Sequence, residues 1–201
     1  MTLIYLVRHA AHDHVGRILT GRAAGARLAD RGRVQAARLA ERFRGLRLDA
    51  VHASPRERAQ ETAEAIAEPH GLSVDVASDL DEIDFGRWTG ASFDALSADP
   101  AWRRWNEARG LARVPDGETM AEAQGRMIRH LDAIAAALPA GTVVMVGHAD
   151  PIKAVVAAVL GLPLDALHRF DVDPASVTLV DFAAHGARIV RLNDGLEDAR
   201  P

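Results

Sequence analysis

Two strand-like segments of the chain each end on a histidine. The apolar run 3–7 leads into Arg8 and His9, and the β-branched run 142–146 leads towards His148. Because ligands bind beyond the carboxyl ends of the strands in an open α/β sheet, we expect the two histidines to meet at one site. A guanidinium matches the oxygens of a tetrahedral anion, and a neutral imidazole can attack phosphorus. The pattern therefore predicts chemistry on a phosphoryl group.

A further cationic candidate lies in the segment 54–62. Ser54 and Pro55 have the residue types of a helix N-cap and of the first helical position, so a helix is predicted to begin there. Arg58 then falls in the first turn, where the helix dipole disfavours a cation unless an anion lies opposite it. Arg56 is interpreted as a solvated helix arginine, and the same interpretation stays open for Arg58.

An acidic segment, 80–90, supplies candidates for proton transfer. It combines three acids with aromatic residues and two glycines. A carboxylic acid beside apolar neighbours has a raised pKa, which suits a general acid. Asp81, Glu82 and Asp84 are the candidates, and their spacing does not decide among them.

These segments resemble the histidine phosphatase superfamily, whose fold is phosphoglycerate-mutase-like. The resemblance spans residues 3 to about 176 and rests on four segments in the family's order, which are Arg8-His9, 54–62, 82–90 and Gly147-His148. It implies an α/β fold, a three-layer αβα sandwich with a mostly parallel central sheet. Residues 1–201 are expected to form a single domain, with a variable cap-like segment at about 93–118.

The resemblance also implies a role for individual residues. His9 is expected to be the nucleophile that becomes a phosphohistidine, and Glu82 the proton donor. Arg8, Arg58 and His148 are expected to bind the phosphoryl oxygens, so that two arginines and a charged histidine supply the charge that metal ions supply in kinases. The further substrate-binding residues implied by the resemblance are Ala149, Thr20 and Arg22. No metal and no cofactor are expected.

The chain departs from the family's pattern at three places. Ala10 stands where a glycine usually follows the nucleophile, so the turn behind His9 must accommodate a methyl group. The loop 11–15 lacks the asparagine that often contacts phosphate, and Ala149 replaces a frequent glycine after the second histidine. Asp150 is interpreted as a helix N-cap rather than a substrate contact.

Hydrolysis of small phosphomonoesters is the activity we expect. A phosphomutase ranks second, because the stretch 88–118 has no obvious extra length for enclosing a bisphosphorylated intermediate. The alternative of another class is a non-catalytic protein that binds phosphorylated ligands. Such a protein could dispense with the nucleophile and the acid, so the presence of His9 and Glu82 weighs against it. A sugar phosphate, a nucleotide and a cobalamin-precursor phosphate all stay open as the substrate, and phosphate or sulfate is expected to bind in the site.

A hydrolytic zinc site is the rival mechanism. Its candidate ligands are His9, His12, Asp13 and His14, with His52 and His148 joining them in space. Their spacing does not reproduce a known metal motif, so His12 and His14 are interpreted as loop residues that line an anion pocket.

Composition sets the remaining expectations. A net charge of −4 argues against a nucleic-acid partner. The absence of cysteine fits a reducing cytosol, and no stretch of sequence predicts a signal peptide or a membrane span, so a cytoplasmic location is expected. Lys153 is the only lysine among 24 basic residues, which suggests a GC-rich bacterial genome. Self-association into a homodimer is left open.

The other segments are predicted to be scaffold. The stretch 30–43 is expected to be a helix that buries Val34, Ala37, Ala40 and Phe43. A second core helix is predicted over 119–138, with the apolar stripe Met120, Ala123, Met127, Leu131, Ile134 and Leu138. The stretches 176–182 and 187–192 predict a hairpin around 184–186, and 193–201 predicts a frayed tail. Within 93–118, Trp102 and Trp105 either cap the site or, the favoured interpretation, pack a surface helix.

Overall fold

A computed structural model describes residues 1–183 and 186–195. Its strands are β1 (Thr2–Arg8), β2 (Ala50–Ala53), β3 (Val74–Val76), β4 (Thr142–Gly147), β5 (Val177–Ala183) and β6 (Gly186–Asp194). Its α-helices are α1 (Asp30–Phe43), α2 (Glu57–Ala67), α3 (Phe93–Ser97), α4 (Pro100–Glu107), α5 (Met120–Ala137) and α6 (Ala149–Leu160). Short 3₁₀ helices cover Glu68–His70, Ser78–Leu80, Gly86–Trp88 and Leu164–Arg169.

The strands form one sheet in the order β3-β2-β4-β1-β5-β6. Strands β3, β2, β4 and β1 are mutually parallel, whereas β5 and β6 join the β1 side of the sheet in antiparallel orientation. The mostly parallel sheet predicted from the sequence is therefore confirmed. In the β1–β4 pair, Arg8 lies beside Gly147, so both strands end at the same level of the sheet.

Side chains of the central strands alternate between the two faces of the sheet, and each face packs against a layer of helices. In β1, Ile4 and Leu6 face a cluster that includes Met127 of α5 and Val155 of α6. Their neighbour Val7 faces the opposite cluster, where α1 and α2 pack. Because successive side chains of a strand point to opposite faces, one central strand supplies both cores. The expected helix–sheet–helix arrangement follows from this alternation.

Helix α1 has the predicted bounds but buries a different face. Val34 is 55% exposed and Ala37 is exposed, so the prediction that they face the core was wrong. The residues that α1 buries are Gly32, Ala36, Leu39, Ala40 and Phe43. A side chain on Gly32 would collide with the carbonyl oxygen of Ala11. This close approach to the loop after His9 sets the rotation of the helix, and apolar periodicity alone does not reveal it.

The other scaffold predictions have mixed outcomes. Helix α5 and the β5–β6 hairpin are confirmed, while the turn residues 184–185 and the tail beyond 195 lie outside the described residues. Helix α2 begins at Glu57 with Arg56 as its N-cap and without a side-chain cap, so the prediction that Ser54 caps it was wrong. Trp105 is fully buried beside Trp88, which supports the packing interpretation. Across the described residues, no helix is long and apolar enough to cross a bilayer.

Candidate active site

The parallel pair β1–β4 brings the two strand-end histidines together. The His9 amide continues the ladder by donating to the Gly147 carbonyl at 2.9 Å. His148 follows β4 directly and is the N-cap residue of α6. The ring centroids of His9 and His148 lie 5.1 Å apart, and both residues are buried. The predicted meeting of these two histidines at one edge of the sheet is what the structure shows.

Hydrogen bonds determine which nitrogen of His9 carries the proton. Its Nδ1 lies 2.8 Å from the carbonyl oxygen of Ala10, which can only accept, so Nδ1 is the donor. Its Nε2 accepts from Nε of Arg58 at 3.2 Å. Burial, together with the charges of Arg58 and Arg8, holds the pKa of His9 well below its usual range. His9 is therefore neutral and carries its lone pair on Nε2.

Two arginines bring positive charge to the same place. Arg58 is 1% exposed, and its Nη2 donates to the Gly21 carbonyl at 2.8 Å and to Nδ1 of His148 at 3.2 Å. Nη1 of Arg8 donates to the Val172 carbonyl at 2.7 Å. Among the described residues, Nη1 of Arg58 and Nε of Arg8 are buried without a hydrogen-bond partner. Such orphaned cationic donors beside a histidine are suited to binding an anion.

His148 is also neutral in this arrangement. Because Nδ1 accepts from Arg58, the proton is on Nε2, which lies 2.7 Å from Oγ of Ser54. Burial and the neighbouring Arg58 and His9 hold the pKa of His148 well below its usual range. The charged histidine expected from the sequence is thus not the favoured form in the free site. An anion at Nδ1 would supply the negative charge that protonation needs.

Glu82 is the acid that lies beside the histidines. Its Oε2 is 3.7 Å from Nδ1 of His148, and its Oε1 accepts from the Ile83 amide at 2.9 Å. Burial raises the pKa of Glu82 to about 7, the charge of Asp150 adds to the rise, and Arg58 opposes it. At neutral pH the carboxyl group is therefore close to half protonated, which suits a group that alternately donates and accepts a proton.

The other two acids of the segment have different surroundings. Asp81 is buried and pairs with Arg56 at 3.0 Å and Arg22 at 3.4 Å. The Asp84 side chain is 45% exposed and lies 3.6 Å from Arg22. Arg56 is only 22% exposed in this pairing, so its interpretation as a solvated arginine was wrong. Among the three acids, Glu82 is the one placed beside His148, and its role as the proton donor stays a prediction.

The remaining predicted substrate contacts lie around this centre. Arg22 donates to the Glu82 carbonyl at 2.8 Å and pairs with Glu118 at 3.2 Å, so its guanidinium holds the acidic segment. Thr20 is buried, and its hydroxyl lies 3.4 Å from the Ile18 carbonyl. Ala149 is the first residue of α6, so its amide has no acceptor within the helix. Substrate contact by these three residues stays a prediction.

The departures from the family's pattern are accommodated locally. Ala10 is fully buried and its φ is not positive, so an alanine fits behind His9 without strain. The ring of His12 lies 5.4 Å from that of His9, and burial lowers its pKa to about 4. Asp150 is in the first turn of α6 and pairs with Arg109 at 2.7 Å, so the prediction that it is an N-cap was wrong.

The zinc alternative loses one of its candidate ligands. His52 packs against His130, with ring centroids 5.2 Å apart. Within residues 1–183 and 186–195, no group of three or more histidines and acids is placed to hold a metal ion.

Sequence reasoning missed Arg126 and considered Arg109 only as part of the cap-like segment 93–118. Arg126, on α5, is buried, donates to the Glu82 carbonyl at 3.1 Å and pairs with Glu118 at 2.8 Å. Arg109 lies over the ring of Trp105, 5.6 Å from its centroid. The available signal was the position of Arg126 on the predicted core helix 119–138. A cation is rarely buried without a partner, so an arginine on such a helix indicates an acidic group nearby.

Comparison with known proteins places this site in a family. The chain matches the model of the histidine phosphatase superfamily (branch 1) over residues 4–195. Phosphoserine phosphatase 1 of Hydrogenobacter thermophilus is 31% identical over 197 residues, covering 96% of this chain and 92% of that protein. The Erwinia tasmaniensis protein named "Probable phosphoglycerate mutase GpmB" is 33% identical over 184 residues, covering 90% of this chain and 85% of that protein.

A third relative is longer than this chain. Bifunctional protein Rv2228c of Mycobacterium tuberculosis is 37% identical over 145 residues, which are 71% of this chain and 40% of that protein. The chain thus matches less than half of the length of this relative.

Solved structures have the same fold. Bacillus stearothermophilus YhfR superposes with a TM-score of 0.92 at 28% identity, covering 98% of this chain and 100% of that chain. The mycobacterial glucosyl-3-phosphoglycerate phosphatase Rv2419c in complex with VO3 superposes with a TM-score of 0.85 at 27% identity, covering 96% and 99% of the two chains. Because the family model covers nearly the whole chain, this protein belongs to the histidine phosphatase superfamily, branch 1.

Proposed function

We propose that this protein hydrolyses small phosphomonoesters through a phosphohistidine on His9, without a metal ion. The observation that carries the proposal is the orientation of the His9 ring. The Ala10 carbonyl holds Nδ1–H, so the lone pair on Nε2 faces the Arg58 guanidinium. A nucleophile and an anion-binding group thereby lie in contact. The lone pair becomes available for attack when a bound phosphoryl group takes the place of Arg58 Nε at Nε2.

Binding of the phosphoryl group is assigned to the two buried arginines and the second histidine. Nη1 of Arg58 and Nε of Arg8 have no partner in the described protein, so they can donate to phosphoryl oxygens without breaking an existing bond. His148 would contact the same group through Nδ1. The first amide of α6, that of Ala149, adds a donor at the positive end of a helix dipole.

In the first step, Nε2 of His9 would attack phosphorus and the bond from phosphorus to the leaving oxygen would break. Protonated Glu82 would give its proton to the leaving alkoxide, so that an alcohol departs. A pKa of about 7 keeps a large fraction of Glu82 protonated at neutral pH. The low pKa of His9 keeps the nucleophile unprotonated under the same conditions.

In the second step, Glu82 would act as a base. Its carboxylate would take a proton from water while the water oxygen attacks phosphorus and the bond between phosphorus and Nε2 breaks. Inorganic phosphate and neutral His9 are the products, and Glu82 is again protonated. One residue thus serves both half-reactions, and its pKa near neutrality suits both roles.

The segment 93–118 is proposed to cap this site. Its helix α4 carries Trp105, and Arg109 just beyond the helix pairs with Asp150 in the first turn of α6. This ion pair joins the segment to the helix that begins beside His148. A single domain, a homodimer and a cytoplasmic location stay predictions.

A phosphomutase is the second candidate, and the similarity to the phosphoglycerate mutase relative favours it. The two activities share the phosphohistidine and differ in what accepts the phosphoryl group. A panel of phosphomonoesters, assayed with and without chelator and extended with a sugar-phosphate isomer, separates them. We expect phosphate release that chelator does not change. Transfer between positions of the sugar phosphate would favour the mutase, and binding without either reaction would favour a phospholigand-binding protein.

A further inference from the structure

Ser54 lies fully buried at the end of β2, although it has the residue type of a helix cap. Its amide donates to the Val146 carbonyl at 2.9 Å, which extends the β2–β4 ladder by one bond. That bond places Ser54 beside His148, two residues further along the neighbouring strand. Its hydroxyl oxygen is 2.7 Å from Nε2 of His148 and 3.3 Å from Oδ1 of Asp81.

Resting on the proposed function, we propose that Ser54 is a positioning residue that, together with Asp81, sets the tautomer of His148 for phosphoryl binding. The direction of each hydrogen bond follows from the donor inventory. A guanidinium only donates, so Nδ1 of His148 accepts from Arg58 and the ring proton is on Nε2. Nε2–H donates to Ser54, and the hydroxyl proton then points to the carboxylate of Asp81.

The hydrogen-bond chain from His148 through Ser54 ends on the carboxylate of Asp81, which is held in place. Asp81 is 6% exposed and is held by Arg56 at 3.0 Å and by Arg22 at 3.4 Å. Ser54 also accepts from the Arg56 amide at 3.3 Å, so its hydroxyl oxygen cannot turn away without losing that bond. A buried chain in which each member is satisfied specifies one orientation of the imidazole.

The consequence appears when a phosphoryl oxygen replaces Arg58 at Nδ1. Nδ1 must then donate, so His148 takes up one proton from solvent while Nε2–H stays on Ser54. The bound anion and Asp81 behind Ser54 favour the resulting positive charge, and Glu82, 3.7 Å from Nδ1, adds to this only when it is ionised. The positive charges of Arg58, at 3.2 Å, and of Arg126 and Arg8 oppose it. Without Ser54, the ring loses the acceptor that keeps Nδ1 directed at the phosphoryl group.

The test compares Ser54→Ala with Ser176→Ala. Ser176 is also fully buried, and its Oγ has no hydrogen-bond partner among the described residues, so its replacement controls for the loss of a buried hydroxyl. The protonated nitrogen of His148 is read from two-bond ¹H–¹⁵N NMR correlations, in the free protein and with vanadate. Single-turnover kinetics with a phosphomonoester give the rate of the phosphorylation step.

We expect Nε2–H on His148 in the free wild type and protonation of both nitrogens with vanadate bound. In free Ser54→Ala, Arg58 still donates to Nδ1, so Nε2–H should be retained. With vanadate bound, Ser54→Ala should lose the Nε2 proton from part of the population, because Nε2–H has lost its acceptor. Its phosphorylation rate should fall about 10- to 100-fold, the loss expected when a buried donor loses its partner. Ser176→Ala should leave both readouts close to wild type. A proton on Nδ1 in the free wild type, or an unprotonated Nε2 in its vanadate complex, would overturn the proposal, and neither measurement requires Ser54→Ala to fold.

Two further outcomes would also overturn it. One is an unchanged rate in Ser54→Ala, and the other is a slower rate with the protonation of His148 in the vanadate complex unchanged. If the wild type hydrolyses no phosphomonoester, the proposed function fails, whereas the protonation of His148 in the vanadate complexes of the wild type and Ser54→Ala still decides whether Ser54 sets it.

Discussion

Replacing Glu82 with glutamine should stabilise the folded protein above neutral pH. Burial raises the pKa of Glu82 from its ordinary 4.5 to about 7 in the folded state. At about 1.36 kcal/mol per pKa unit, the rise corresponds to a cost of about 3 kcal/mol once the group is ionised. Glutamine carries no charge, and its side-chain oxygen can still accept from the Ile83 amide that now bonds to Glu82.

The sign follows from proton binding in the two states. Between pH 4.5 and about 7 the unfolded chain has released the Glu82 proton while the folded protein retains it. The wild-type free energy of unfolding therefore falls as the pH rises through this window. Above about pH 7, Glu82 causes no further loss of stability. Glu82→Gln lacks this loss, so the two proteins should be equally stable with respect to this group at pH 4 and differ most at pH 8.

Thermal denaturation of both proteins from pH 4 to pH 8 measures the difference. For a chain of this length, about 3 kcal/mol corresponds to a gain in Tm of roughly 6–12 °C at pH 8. Glu64→Gln, which changes an exposed glutamate of α2, is the matched control and should show no such pH-dependent gain. A stability difference that is the same at pH 4 and pH 8, or a Glu82→Gln protein that is less stable at pH 8, would refute the reasoning.

In single-turnover kinetics, Glu82→Gln should slow phosphorylation by an alkyl phosphate much more than phosphorylation by nitrophenyl phosphate. The reason is that an alkoxide leaving group needs a proton and a nitrophenolate does not. Equal losses with the two substrates would move the acid role to Asp81 or Asp84. In the wild type, kcat/KM for the alkyl ester should fall above about pH 7, where Glu82 is deprotonated. His9→Ala should lose several orders of magnitude in turnover with an unchanged circular dichroism spectrum, and trapping of an acid-labile, base-stable phosphoryl label elsewhere would contradict its role. Arg58→Ala should lower kcat/KM at least about 100-fold and weaken competitive inhibition by vanadate. Replacing the exposed Arg38 with alanine is the control and should do neither. Equal effects of the two replacements would show that Arg58 does not bind the anion.

The sequence by itself determined the framework of this protein. Two strands that carry imidazoles to the same edge of a parallel sheet are predicted by local patterns, namely the run 3–7 before His9 and the run 142–146 before His148. Local patterns suffice for such elements, because apolar alternation and helical periodicity are properties of neighbouring residues. The bounds of α1 and the core stripe of α5 were predictable for the same reason.

Tertiary structure alone decided how the side chains are used. The cap-like Ser54 bonds to His148, 94 residues away, and the carboxyl group nearest that histidine belongs to Glu82 rather than to Asp81 or Asp84. The core-facing side of α1 was set by the contact of Gly32 with Ala11. Hydrogen-bond partners, tautomers and shifted pKa values depend on groups that are distant in sequence and on their burial, and neither is encoded in the spacing of neighbouring residues.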